Sequence, residues 1–368
     1  MTEVFEFVDA FGPEKIIHIS NNTAGLRAIV VIDNTAAGDS IGGVRMAPDV
    51  TLMECIRLAR AMTLKNAAAG LPHGGGKSVI FADPSMESSK KETLMRAFAQ
   101  AIQQITEYIP GPDIGTNETC MAWVQDEISR SVGLPRVIGG IPLDEIGATG
   151  FGVSVAAEVA QDFCGIDLAS ARVAVQGFGA VGKHAALHLA DKGARIVAVS
   201  DSRGAVFDSD GLDLSRLLAL KTDKLSVCDL TKAQVDERDA VISADCDILI
   251  PAARPDIIDE TNVADVRAKL IVQGANIPVT AAAEDSLHNR GILVIPDFIA
   301  NAGGVICASV EFHGGTENQA MTEIDEKIRR NTMEVLQQSR DEGTRPRQAA
   351  NALSERRVRE AMALQRSY

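Results

Sequence analysis

No apolar run in this 368-residue chain approaches the ~18–20 residues that a membrane-spanning helix needs, so no membrane partner is expected. The opening "MTEVFEFVDAFGPEK" is acidic and lacks the basic-then-apolar layout of a secretory signal, and a cytoplasmic location is the expectation. A basic excess is missing too. Lys and Arg number 36 against 50 Asp and Glu, a net charge of −14 with a pI near 4.9. Nucleic acid and anionic membranes are therefore disfavoured, because nothing is available to displace their counterions. Small anionic substrates stay open, since a cleft can concentrate lysines against the global sign. The six cysteines (Cys55, Cys120, Cys164, Cys228, Cys246 and Cys307) are scattered with no CxxC pair, as expected of reduced and mostly buried thiols. His184 and His188 stand four residues apart but lack a third ligand nearby, so no metal is expected. No internal repeat and no low-complexity linker interrupts the chain.

What is present is globular: 46% hydrophobic and 23% charged residues, over a length that suits two domains. "LRAIVVID" reads as a strand, residues 51–64 as a helix, "SVIFAD" as a strand and "KKETLMRAFAQAIQQITEYI" as a long helix. "GGIPLDEIGATGFG" reads as a hinge, followed by the small-residue helix "GVSVAAEVAQDF". From about Gln319 the chain is charged and helical in period, which predicts a packing pair of helices. The expectation is an α/β protein with a first domain over 1–145 and a second over 146–339. The final helices, about 340–368, are expected to pack back on the first domain.

The second domain carries "RVAVQGFGAVGKHAALHLADKGARIVAVSD". An apolar strand runs into Gly177, Gly179 and Gly182 in G-x-G-x-x-G spacing; a helix and a second strand follow, with Asp201 after that strand. In this context the spacing predicts a dinucleotide site. Gly177 permits the turn, Gly179 lets backbone approach a pyrophosphate, and Gly182 lets helix pack on strand. Phe178, Ala180 and Val181 complete the loop, and the helix N-terminus offers free N–H groups to the phosphates. Asp201, with Ser202 beside it, is placed to accept ribose hydroxyls and to repel a 2′-phosphate, favouring NAD. Arg203 close by keeps NADP open.

In the first domain, "GLPHGGGKSV" resembles a nucleotide-phosphate loop but fails it, because the first required glycine falls on Leu71 and helix precedes while strand follows. Lys65 and Lys77 flank this glycine run, and Asp113 lies in "GPDIGTNE". Two lysines and an aspartate in loops, in a chain with a hydride acceptor, suggest amino or keto acid chemistry. One ammonium would hold a carboxylate. The other would need a pKa near ~7–8 instead of ~10.4, which requires burial in a closing cleft.

Several blocks in order, "GGVRMAPDVTLMECIRLARAMTLKNAAAGLPHGGGKSVI", "GPDIGTNETCMAW", "GATGFGV", "VQGFGAVG", "GANIPVT" and "PDFIANAGGV", resemble the glutamate/leucine/phenylalanine/valine dehydrogenase superfamily over nearly the whole chain. The resemblance implies a mixed-sheet N-terminal domain for substrate binding and oligomerisation, a Rossmann dinucleotide domain, and a cleft between them. It implies a homo-oligomer and NAD-dependent oxidative deamination of an L-amino acid to its 2-oxo acid and ammonia. By the same resemblance Lys65 grips the substrate α-carboxylate, Lys77 activates water, and Asp113 shuttles protons to and from the amine. Thr149, Ala252, Asn276 and Asn301 fall at positions near the coenzyme.

The blocks divide on substrate. Glutamate dehydrogenases usually carry a lysine just before the first Gly-Gly, where this chain has Ile41 before Gly42 and Gly43. A serine of glutamate enzymes after "NAGGV" falls on Ala308, with Ser309 adjacent. Neither Ile41 nor Ala308 offers a donor to a buried carboxylate, whose unpaired burial is costly. The leading expectation is therefore an apolar substrate, branched or aromatic, with Gly74, Gly111, Val305 and Ala308 as pocket walls and Ile41 and Gly42 at its edge. Glutamate is the alternative. A catalytically silent dinucleotide sensor is the alternative from another class.

Overall fold

Val30, Val31 and Ile32 are all fully buried, which a strand allows only when both of its faces are covered. They belong to β2 (Leu26–Asn34), in a five-stranded sheet of a computed structural model that describes residues 5–231 and 233–365. The sheet order is β1 (Lys15–Asn21), β2, β4 (Gly74–Phe81), β3 (Ser40–Ala47), β5 (Tyr108–Pro112). The β1–β2 and β2–β4 pairs are antiparallel, whereas β3 runs parallel to both β4 and β5.

Helix α1 (Leu52–Ala68), capped by the Thr51 side chain, sets Cys55, Ile56 and Ala59 against Ile29, Val31 and Val79 on one face. Helices α2 (Ser88–Ala101) and α3 (Glu118–Ile128) set Leu94, Phe98, Met121 and Val124 against Val30, Ile32, Met46 and Ile80 on the other. Two expectations are corrected here. The long helix expected over 90–109 stops at Ala101, and "YIPGP" forms β5. Its prolines are tolerated because β5 is an edge strand. The strand expected from Ser78 begins at Gly74, so the glycine run lies inside the sheet and not in a loop.

The second unit is built on a seven-stranded sheet and begins with α4 (Ala148–Cys164). Its chain runs β6 (Arg172–Gln176), α5 (Ala180–Asp191), β7 (Arg195–Ser200), β8 (Ala205–Phe207), α6 (Leu214–Thr222) and β9 (Gln234–Asp236). It continues through β10 (Ile248–Pro251), β11 (Leu270–Val272), α7 (Ala281–Asn289), β12 (Leu293–Ile295) and α8 (Asp297–Ala300). The sheet order is β12-β11-β10-β6-β7-β8-β9, parallel from β12 to β7. β6 is flanked by β7 on one side and β10 on the other, so strand order reverses there, which is where open α/β sheets bind ligands.

The remaining helices are α9 (Gly303–Phe312), α10 (Glu317–Glu342) and α11 (Pro346–Ala363). The first compact unit runs to Pro142 and takes in Val305–Ala320 and the chain from Asn351; the second comprises Leu143–Gly304 and Met321–Ala350. Residues 305–320, assigned by sequence to the second domain, group with the first because Ala308 and Phe312 pack on Ile41, Ile109 and Val132. Within the first unit Glu311 accepts the backbone N–H groups of Leu134 and Ile141, holding that segment against α9. All six cysteines are free. Among the described residues no helix is long and apolar enough to cross a membrane.

Candidate active site and coenzyme site

Side chains alternate along a strand, and the pairing of Ile41 with Gly75 and Ile109 puts Ile41, Gly43, Arg45, Gly75, Lys77, Ile109, Gly111 and Asp113 on one face. This is the face that α1 covers over β2 and β4. α1 sits so close that a Cβ on Gly75 would lie 2.0 Å from the Thr63 backbone nitrogen. Lys77, only 5% exposed, emerges beside it, and its Nζ reaches Asp113 Oδ2 at 2.7 Å. The path crosses Gly43, where a Cβ would stand 2.7 Å from Asp113 Cβ and 3.1 Å from Lys77 Nζ. The glycines are therefore packing devices: one seats the helix, the other clears the way for the ion pair.

Lys65 and Lys77 do not lie in loops, which corrects the sequence analysis, whereas Asp113 is in the loop between β5 and α3 as expected. Lys65 is half-buried in the last turn of α1, Lys77 is in a central strand, and Asp113 directly follows β5. Rigid elements hold chemistry more tightly than loops do. The residue overlooked is Arg45. Its Nε donates to Asp113 Oδ2 at 3.0 Å, while a second nitrogen meets Glu54 at 2.6 Å. Its signal was its place two residues after Gly43, on the lysine's side of the strand. Burial pushes the Asp113 carboxyl up, but the Lys77 ammonium and Arg45 guanidinium outweigh it and hold the group below the usual carboxylate range.

Beside this pair Ile41, Ile109, Val132, Ala308 and Phe312 form an apolar cluster. Val305 lies on α9, three residues before Ala308. Gly42 and Gly74 belong elsewhere: they alternate to the opposite face, and a Cβ on Gly74 would lie 1.8 Å from the Asn34 carbonyl oxygen. Close backbone contact, not a pocket, explains the missing side chain at Gly74. Ser309, buried, follows Ala308 on α9.

In the second unit the glycine loop leaves β6 at Gly177 (φ +93°), and the N–H groups of Gly177 and Phe178 donate to the Ser200 carbonyl at the end of β7. Phe178 is buried beneath the loop. Gly179 caps α5 with no side chain on the free N–H groups, and the space where its Cβ would project is open. Ala180 and Val181 form the first turn of α5, and a Cβ on Gly182 would strike the Gly177 carbonyl at 2.0 Å. The loop thus has the open cradle and helix N-terminus that a dinucleotide pyrophosphate needs. Ala252 follows β10 and packs near Gly274. Asn301, 4% exposed, donates to Asn276 Oδ1 at 3.0 Å, which joins two of the expected coenzyme positions. Thr149, in the first turn of α4, sets its hydroxyl against Gly304. The Asp297 carboxylate accepts the Ile277 N–H, and Arg347 binds Asp297 and Glu284 together.

Asp201, at the end of β7, is surrounded by four donors. Its Oδ1 accepts the Arg203 N–H (3.0 Å) and the Ser226 hydroxyl (2.9 Å), and its Oδ2 accepts Lys221 Nζ (3.0 Å) and the Val227 N–H (3.0 Å). Burial pushes this carboxyl up, but those backbone N–H groups with Lys221 and Ser226 prevail and keep it below its ordinary range. Ser202 and Arg203 beside it are exposed. His184 packs under Gly147 and Gly150, and the His188 ring meets Phe151 edge-on at 5.1 Å.

Residues 139–366 match the family model for Glutamate/Leucine/Phenylalanine/Valine dehydrogenase, and residues 13–130 match the Glu/Leu/Phe/Val dehydrogenase dimerisation domain. The chain is 38% identical over 355 residues to a glutamate dehydrogenase of Aeropyrum pernix, covering 90% of this chain and 84% of that protein. It is 40% identical over 322 residues to an NADP(+)-dependent glutamate dehydrogenase of Pyrobaculum calidifontis (82% and 75% covered). With a catabolic NAD-specific glutamate dehydrogenase of Bacillus subtilis it shares 38% over 311 residues (80% and 73% covered). Among solved structures, the hetero-hexameric glutamate dehydrogenase of Thermus thermophilus in its leucine-bound form superposes with a TM-score of 0.84 at 29% identity, covering 97% of this chain and 91% of that one. The L-tryptophan dehydrogenase of Nostoc punctiforme gives 0.79 at 27% identity, covering 98% and 99%. An ion-paired lysine and aspartate on one unit and a dinucleotide cradle on the other thus accompany family matches over most of the sequence: the chain belongs to the Glu/Leu/Phe/Val dehydrogenase family and is an NAD(P)-dependent amino acid dehydrogenase.

Proposed function

We propose that the protein catalyses reversible oxidative deamination of L-glutamate to the 2-oxo acid and ammonia, with Lys77 and Asp113 as its catalytic residues. The buried 2.7 Å contact between those two groups carries the catalytic reading. The nicotinamide, when bound, supplies the acceptor for the substrate Cα hydride. Everything else falls to the chain. Lys65 holds the α-carboxylate. Lys77 first passes its own proton to Asp113 across their contact and then, as the free amine, takes a proton from the water that attacks the imino carbon. Asp113 delivers a proton to the amine nitrogen so that it departs as ammonia. Arg45 aims the Asp113 carboxyl group and favours its ionised form until the proton from Lys77 arrives. Asn276, Asn301, Thr149 and Ala252 line the nicotinamide and ribose. Identical subunits assemble through the first unit, a reading supported by the family description of residues 13–130 and by the hexameric relative.

Glutamate is supported by the relatives, which bear that name at 38% to 40% identity, and it displaces the apolar substrate as the leading choice. One observation favours the apolar alternative: Ile41 and Ala308 belong to a cluster that offers a γ-carboxylate no donor. NADH or NADPH formation across an amino acid panel separates the two. The highest kcat/KM on glutamate supports the proposal, and a higher value on leucine, valine, phenylalanine or tryptophan establishes the alternative. In either case Lys77→Ala should abolish turnover while coenzyme binding, followed by fluorescence, persists. Retained turnover would refute the role of Lys77.

A further inference from the structure

Ile277 holds a backbone conformation that its side chain resists. Its φ is +42°, in the left-handed region, where a β-branched residue is a genuine outlier. Pro278 follows it and restricts it further. The residue is 51% exposed, so burial of its side chain does not account for the conformation. Strain of this kind persists only where the surroundings over-determine it. Here both backbone groups are taken: the Ile277 N–H donates to Asp297 Oδ2 at 2.9 Å, and its carbonyl accepts the Asp256 N–H at 3.0 Å.

Asp297 ties this residue to both coenzyme asparagines. Its carboxylate holds Ile277, the residue after Asn276, and its carbonyl accepts the Asn301 N–H at 2.7 Å. The Asn301 amide in turn donates to Asn276 Oδ1 at 3.0 Å and to the Ala275 carbonyl at 3.2 Å. One residue therefore fixes the chain beside the first asparagine and the backbone of the second. Asp297 is itself buried and held. Arg347 Nη1 donates to its Oδ1 at 3.0 Å, and its own N–H donates to Gln273 Oε1 at 3.2 Å. Arg347 also binds Gln273 and Glu284, both buried, so the anchor stands in a closed polar cage.

We propose that Asp297 is a positioning residue of the reaction: backed by Arg347, it keeps Ile277 in the left-handed conformation and so presets Asn276 and Asn301 for the nicotinamide end of the coenzyme. This rests on the reading of those asparagines as coenzyme contacts and deepens it. The test is calorimetric titration of the full chain with its coenzyme (the tighter of NAD+ and NADP+) and with the corresponding ADP-ribose, which lacks nicotinamide, alongside kcat. Asp297→Ala should weaken the coenzyme about tenfold or more and lower kcat about tenfold to a hundredfold, while the ADP-ribose changes less than about threefold. Glycine takes the left-handed conformation without steric cost. Adding Ile277→Gly to Asp297→Ala should therefore recover about threefold or more of the lost coenzyme affinity, measured against Ile277→Gly alone, which a merely structural role of Asp297 would not show. If Asp297→Ala does not fold, Asp297→Asn, which removes the charge that Arg347 binds, is held to the same outcomes. Equal weakening of coenzyme and ADP-ribose, unchanged coenzyme affinity and kcat, or no recovery in the double variant overturns the proposal. Asn276→Ala separates it from the reading beneath. If that variant binds coenzyme and turns over like the wild type, the coenzyme assignment of the loop is wrong and the proposal goes with it. If it is impaired while Asp297→Ala is not, the positioning role alone falls.

Discussion

Replacing Asp113 by asparagine keeps shape and one acceptor oxygen but removes the charge that two cations share. Lys77 Nζ and Arg45 Nε both meet the same oxygen, Oδ2, at 2.7 and 3.0 Å. The Lys77 side chain is 7% exposed and that of Arg45 19%, so neither cation regains full hydration when its partner goes. Breaking a buried pair from one side costs about 3–5 kcal/mol. With a fifth of the Asp113 side chain reached by water and a neutral acceptor kept, about 2–4 kcal/mol is the expected loss. The only tryptophan, Trp123 on α3, packs against the core of the same unit, so its fluorescence during urea unfolding reports the affected part of the chain.

The pH dependence has a definite sign. The folded carboxyl titrates below its unfolded value, so its contribution is present above about pH 4 and is lost as pH falls through the folded pKa. Asp113→Asn should lack that component of acid sensitivity. Turnover should fall about 10²- to 10⁴-fold, the range for a lost general acid or base. A variant that keeps more than about a tenth of wild-type turnover, or that unfolds at the wild-type urea concentration, refutes the reasoning.

Two further substitutions probe the frame. Gly75→Ala drives a Cβ to within 2.0 Å of the Thr63 backbone nitrogen, which no rotamer relieves. It should cost about 1–3 kcal/mol or more, and an unchanged Trp123 unfolding curve would show that α1 is not seated as described. Arg347→Met strands Glu284 and Asp297, 4% and 6% exposed, without their shared cation. The loss should be about 3–5 kcal/mol and should be partly recovered by adding Glu284→Gln, as followed by thermal unfolding. A double variant no more stable than the single one contradicts that account.

The dinucleotide unit was legible in the sequence because its signals are local. "RVAVQ", the spaced glycines, the amphipathic helix and "RIVAVS" each need only neighbouring residues to make their conformation favourable, and they appear as β6, α5 and β7. The lysines and Asp113 were legible as residue types but not as positions. "GGG" reads as a turn to any local rule, and its pairing with β2 and β3, distant in sequence, makes it strand. β5 was hidden for a similar reason, since a proline-bearing segment becomes a strand only when a neighbouring edge accepts it. Arg45 acquires its role from the parity of a parallel pairing across 68 residues. The partners of Asp201, Ser226 and Lys221 of α6, lie 25 and 20 residues away and no local rule names them. The sequence alone determined which chemical groups the protein possesses and the periodicity of its elements. Tertiary structure decided which of those groups are paired, buried or already spent, because hydrogen bonds and desolvation depend on contacts between residues far apart along the chain.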